Sequence, residues 1–340
     1  MVAHFSVVAQ ADNDKSPQET ARGYTRQGDF TNAIVVLNAA LQKDPQNPEL
    51  LKDLCFNYYL NKDYIKGLSL AKPLTDRPDA DVQTFQIAAM LYKGVDELKE
   101  CEKLYRAGLK KFPKSGPLHS EYGEMLWSKS DFGCIKEWEK GIEDDPNYPS
   151  NYYYASKYYY FANNRVWSLI YGEMFVNLES YTKRTAEMKE VLLESYKKLF
   201  TENDIQKNQD VKNPFVLAWL STMAPLTDIA KGGLTAESLT VLRTRFILNW
   251  FNTYPGNYPF RLFEYQRQLL RRGCSMRTIN GSLGRRVICR LSRPGRTPIT
   301  RSISASLIFN REECSKCPRD NITRLPRSND SPSASRPVAV

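Results

Sequence analysis

Histidine is the side chain whose ordinary titration range best suits proton transfer near neutral pH, and this chain has two. His4 lies in a short apolar stretch near the N-terminus, and His119 falls in the first turn of a helical-periodic segment, where a solvent-facing packing role is expected. A general base or zinc site built on histidine is therefore not expected. Cys314-Ser-Lys-Cys317, with Cys274 and Cys289, offers half of a zinc-ribbon pattern. A second closely spaced cysteine pair is missing, and the interval from Cys289 is loose for such a site. Cys55, Cys101 and Cys134 occupy places where small residues recur, which predicts buried thiols. Their odd number also argues against a complete disulfide framework. Gly28, Gly67, Gly123 and Gly141 read as turn or close-packing glycines, with no phosphate-cradling loop around them. Glu137-Trp-Glu139 and Asp144-Asp145 read as solvated helix faces. No catalytic, metal-ligating or cofactor-binding set is expected, and the chain does not read as an enzyme.

What remains is an aromatic content of 12%, and its placement depends on a repeat. In Gly28–Pro45, a Gly-Asp-aromatic turn precedes Ala33, Leu37 and Ala40, which share one helical face at i, i+4, i+7 and let a neighbouring helix approach closely. Prolines close successive units at Pro45, Pro78, Pro113 and Pro146. Small residues recur on each second helix: Ala33 and Ala40, Gly67 and Ala71, Cys101 and Gly108, Cys134 and Gly141. Between them stands Leu37, Leu70, Tyr105 or Trp138. First helices show Ala21 and Tyr24, Cys55 and Tyr58, Ala89 and Tyr92, Gly123 and Leu126. Asp29, Asp63 and Asp131 precede an aromatic residue at the turn and are placed to cap the second helix. A fifth unit is expected at Tyr152–Leu178, with Ala155, Tyr158, Trp167 and Ile170 in the equivalent places but no closing proline.

These residues resemble the tetratricopeptide repeat, a helix–turn–helix unit of about 34 residues. The expected fold is an all-α solenoid of four to five such repeats over residues 14–180. No unit could bury its apolar face alone, so neighbours must stack. Residues 181–272 carry helical periodicity without the repeat and are expected to form a C-terminal helical cap. Thr235 is placed to cap the segment of Leu239, Leu242, Phe246 and Trp250. In arrays of this family the first helices line a groove. The resemblance, with Leu54, Ala88, Tyr122 and Tyr154 facing the core, puts Phe56, Tyr59, Met90, Trp127 and Tyr159 on the inner surface. Tyr152 and Tyr160 then lie near its edge. An exposed Tyr/Trp surface suits a peptide-binding hot spot; the competing reading is that these rings fill gaps against second helices. Tyr153 and Tyr158 are expected to be buried.

The net charge of +10 is concentrated at one end. Residues 273–340 hold thirteen Lys and Arg against four Asp and Glu, which leaves residues 1–272 with a net of +1. All twenty tyrosines and all five tryptophans precede residue 273. As written, this stretch reads as an Arg-rich disordered tail able to bind nucleic acid or an acidic surface non-specifically. A second reading comes from the genetic code. Shifted to the third base of the Gly273 codon, the codons through Gly284 permit MFDAYNQWIFG, which restores aromatic residues in a single frame. The shifted string, Leu242–Phe251 and Pro259–Leu270 resemble exported bacterial tetratricopeptide-repeat proteins of undefined function. On that reading the tail is out of frame and its charge is no evidence of function. Ala9-Gln-Ala11 has the small-x-small form of a signal-peptidase site, so residues 1–11 read as the remnant of an export signal, with a periplasmic location expected over a cytoplasmic one. No segment approaches the roughly 18 apolar residues of a membrane span. The expected function is a non-enzymatic scaffold holding a protein or peptide in its groove, with nucleic-acid binding through the tail as the alternative. The sequence leaves the oligomeric state open.

Overall fold

The computed structural model of the chain describes residues 16–201 and 204–271. The readings of residues 1–11 and 273–340 lie outside the described residues. Among those described, helices and connecting turns make up the fold, as expected of an all-α repeat protein. The chain divides after Pro113 into two compact units.

The first unit holds α1 (Pro17–Gln27), α2 (Phe30–Leu41), α3 (Pro48–Leu60), α4 (Tyr64–Thr75), α5 (Val82–Gly94) and α6 (Leu98–Lys111). Local chemistry sets the helix ends. Ser16 forms a reciprocal capping box with Glu19, and Gly28 closes α1 with φ of 79°, a left-handed conformation that glycine adopts without steric cost. Asp29 caps α2 by accepting from the Asn32 N–H, as expected. Asp63 makes no such bond and instead accepts from Asn61. Each helix packs on the next in sequence, and the first helices also touch one another, α1 with α3 and α3 with α5. Ala21, Ala33, Leu37 and Leu54 form one buried cluster, and Cys55, Ala71, Ile87, Ala88 and Leu91 another. A leucine buried this completely contributes about 1.5–3 kcal/mol. Ala33, Ala71, Cys101 and Gly108 are buried as the repeat pattern requires, whereas Ala40 is only half-buried. Ala40 belongs to the last turn of α2, where the chain turns away and one side stays open to solvent.

The second unit continues with α7 (Gly116–Ser128), α8 (Cys134–Asp144), α9 (Pro149–Phe161), α10 (Arg165–Leu178) and α11 (Lys183–Thr201). Here too each helix packs on the next, and α9 also meets α7 and α11. Asp131 lies outside its helix and accepts from the Gly133 N–H rather than capping. Then follow α12 (Pro214–Met223), a tight turn at Ala224–Leu226, α13 (Thr227–Ala230), α14 (Ala236–Thr253) and α15 (Arg261–Arg271). Thr235 caps α14 as predicted. Trp250 is fully buried among Phe215, Phe246 and Phe263. Arg243 on α14 reaches across 70 residues of sequence to Glu173 on α10 through Nε (2.8 Å) and Nη2. Both side chains are about 5% exposed or less. Removing one partner of such a buried pair costs about 3–5 kcal/mol, so this contact pins α14 to α10.

Candidate peptide-binding face

A binding face built on first helices needs those helices side by side and in register. In the first unit polar side chains tie them together. Gln18 and Arg22 of α1 both donate to Asp53 of α3 (2.8 and 2.9 Å), and the Thr25 hydroxyl donates to Asn57 (2.8 Å). Lys52 of α3 donates to Asp81, the residue that caps α5 (2.7 Å). On the same helices, Phe56 and Tyr59 of α3 and Met90 of α5 are all half-buried. Phe56 and Tyr59 pack partly against the Cys55–Leu91 cluster, and the Tyr59 ring lies 5.8 Å from that of Tyr64. Phe56 and Tyr59 thus fill space against their neighbours while staying half-buried.

In the second unit the predicted face is shifted by one residue on α9. Tyr152 is fully buried and Tyr159 is 5% exposed, so neither lies on an open surface. The Tyr159 and Tyr171 rings stack at 5.8 Å, and both hydroxyls donate to Glu139 Oε1 (2.8 and 3.1 Å). The cause is the identity of the small residue. Ser156, not Ala155, is the counterpart of Ala89 and Gly123. Its hydroxyl donates to the Ser168 carbonyl twelve residues on, just as Cys101 contacts the Ala89 carbonyl across twelve residues. A methyl group placed on Gly172 would stand 3.0 Å from Ser156 Oγ, so the two helices touch at this point. The spacing of 33 from Pro113 to Pro146, added to Gly123, points to residue 156 and was the available signal. With that register Tyr154, Lys157, Tyr160 and Phe161 are among the half-buried residues of α9.

Trp127 of α7 is half-buried against Trp138, Tyr154 and Phe161. Tyr160 is half-buried beneath the Lys198 ammonium, 4.7 Å from the ring centre. Between α9 and α11, Lys157 and Tyr153 both engage Glu187, the lysine at 2.6 Å. Tyr153 and Tyr158 are buried, as predicted.

Reactive alternatives fit the geometry poorly. His119 is buried, not solvent-facing: Nδ1 lies 2.9 Å from Glu137 Oε2 and Nε2 lies 3.8 Å from Asp144 Oδ2. The acids expected on solvated faces are thus drawn inward. Glu137 and Asp144 flank His119, and Glu139 accepts the two tyrosine hydroxyls. Burial pushes the Cys55 thiol up to about 12 and raises Cys134 as well, so neither supplies a thiolate at neutral pH. Lys157 Nζ lies 3.3 Å from the Tyr153 oxygen, a spacing that could serve proton transfer. Burial and then the hydrogen bond to Glu187 raise the Tyr153 phenol, which opposes that use. Among the described residues no group of three or more His, Cys, Asp or Glu could hold a metal ion. Nor is any described helix long and apolar enough to cross a membrane.

Comparison with known proteins agrees with the helix pairs. Residues 24–86 match the model of the tetratricopeptide repeat family, so that stretch carries tetratricopeptide repeats, and helix pairs continue beyond it at similar spacing. Among solved structures, the chain is similar to a thermophilic tetratricopeptide-repeat protein of Thermus thermophilus. The identity is 15% and the TM-score 0.43, over 52% of this chain and 97% of that one. A tetratricopeptide-repeat protein from Parabacteroides merdae is similar at 14% identity and a TM-score of 0.37, over 74% of this chain and 96% of that one. No curated protein matches the chain.

Proposed function

We propose that this chain, which carries tetratricopeptide repeats, is a non-enzymatic scaffold that binds a peptide or helix of another protein along its first helices. The observation that carries this reading is the row of half-buried side chains at equivalent repeat positions. Phe56 and Met90 occupy adjacent first helices in one unit, and Trp127 and Tyr160 do so in the other. Large rings held by packing yet open along one edge lose little rotamer freedom on binding and bury much apolar area, which is how hot spots arise. In the first unit the polar contacts from α1 to α3, and from α3 to the cap of α5, keep those helices in register. Amide hydrogen exchange on the full chain, with and without a peptide selected from a display library, tests the reading. Protection is expected on α3 and α5 or on α7 and α9; protection confined to α4, α6 and α8 would overturn it. We also propose that the scaffold works outside the cytoplasm, on the strength of Ala9-Gln-Ala11; a native N-terminus mapped at Met1 in a cytosolic fraction would count against it.

A further inference from the structure

One corner of the second unit has the makings of a more specific contact. Glu124 and Trp127 stand one turn apart on α7, the first exposed and the second half-buried. Trp127 meets Tyr154 edge-on, with ring centres 6.2 Å apart and planes at 89°, and meets Phe161 at 6.2 Å and 60°. Both partners are half-buried on α9, so Trp127 meets two further rings that are themselves only partly covered. Glu124 acts directly on the Tyr154 phenol, which is raised first by burial and next by the charge of that carboxylate. No cation of the described residues pairs with Glu124. Arg184, the cation whose field reaches Tyr154, is held by Glu179 through Nε (3.1 Å) and Nη2, and by Ser150 Oγ (2.9 Å). Lys157 is held by Glu187 at 2.6 Å. Aromatic faces and a carboxylate both favour positive charge, and here they share one site without a paired cation among the described residues.

We propose that this corner receives a lysine or arginine side chain of the bound partner, with Trp127 supplying the ring face and Glu124 the opposing charge. The proposal rests on the reading of the first helices as a binding face and gives that face a chemical preference. A neutral or acidic segment would leave Glu124 facing no partner charge; a basic one would neutralise it.

The test uses the full chain grown with fluorotryptophan, which gives a fluorine resonance for each of its five tryptophans. Trp127→Phe identifies one of them. The probes are N-acetyl-arginine amide and N-acetyl-citrulline amide, which match in shape and differ in charge. The arginine probe should shift the Trp127 resonance saturably and the citrulline probe should not. In Glu124→Gln the arginine probe should bind about 1.5- to five-fold more weakly. Equal shifts from both probes, no shift from either, or a response untouched by Glu124→Gln would overturn the proposal. A random peptide library displayed against the full chain separates this failure from that of the broader reading. Bound peptides that contact Trp127 without lysine or arginine overturn the cation site and leave the scaffold standing. A library that yields no binder overturns the scaffold itself.

Discussion

Adding a single methyl group at Gly123 places it where the Trp138 indole already lies. A Cβ there would stand 2.4 Å from Trp138 Nε1 and 2.7 Å from Cδ1, well inside contact distance. Trp138 cannot easily yield, since it is fully buried and its ring also lies 5.3 Å from both Trp127 and Tyr154. Its N–H donates to the Ser120 carbonyl at 3.1 Å, a bond that a displaced ring would lose. Overpacking of this kind costs about 1–3 kcal/mol. A lost buried hydrogen bond adds roughly 0.5–1.5 kcal/mol. Alanine's better helix propensity offsets about 0.8–1 kcal/mol of this. Gly123→Ala should therefore destabilise the second unit by about 1–3 kcal/mol, measured by urea unfolding with far-UV circular dichroism. Gly23 is the control, because a Cβ there meets nothing within 4 Å. Gly23→Ala should stabilise the first unit by about 0.5–1 kcal/mol. Combining Gly123→Ala with Trp138→Leu should recover at least about 1 kcal/mol of the loss, since the two sites are in contact. If Gly123→Ala proved as stable as the parent, the close approach of α7 and α8 would be wrong.

Other consequences are as direct. Tyr159→Ala should destabilise by about 3–5 kcal/mol because its ring is buried, whereas Trp127→Ala should leave helix content by circular dichroism intact; the reverse pattern would restore the shifted register. The Glu187 carboxyl is held below the usual carboxylate range: burial would raise it, but hydrogen bonds from Lys157 and Tyr153 outweigh that. A depressed folded value gives stability that is complete above the ordinary value of about 4.3 and lost as pH falls through the lower folded one. Glu187→Gln should flatten the acid side of the melting-temperature profile, and an unchanged profile would contradict the pairing. Iodoacetamide should label Cys55 and Cys134 only after unfolding; rapid labelling of either residue in the folded chain, located by peptide mass spectrometry, would refute its burial.

The repeat was legible because it depends on spacing. Prolines at 45, 78, 113 and 146 and small residues opposite large ones impose a periodicity that no tertiary detail can hide. What escaped depended on one-residue offsets and distant partners. Ala155 and Ser156 are both small enough to let a helix approach, so size alone could not choose between them, and the wrong choice carried Tyr152 and Tyr159 onto the open face. His119 reads as an isolated polar residue until α8 brings Glu137 and Asp144 beside it. The Glu173–Arg243 pair joins helices 70 residues apart and has no local signature. The aspartates before the aromatic turns looked alike, yet only Asp29 caps, because Asn61 and the Gly133 N–H engage the other two first.

The central claim is that partners bind across the first helices. It is tested most directly by the affinity of one library-selected peptide for four full-length proteins: the parent, Phe56→Ala, Trp127→Ala and Lys103→Ala. Lys103 lies on the exposed side of α6, a second helix, and is the control. At least one of Phe56→Ala and Trp127→Ala should weaken binding by about 1–4 kcal/mol, with Lys103→Ala unchanged. Loss of binding in Lys103→Ala, with both first-helix variants at parental affinity, would contradict the account.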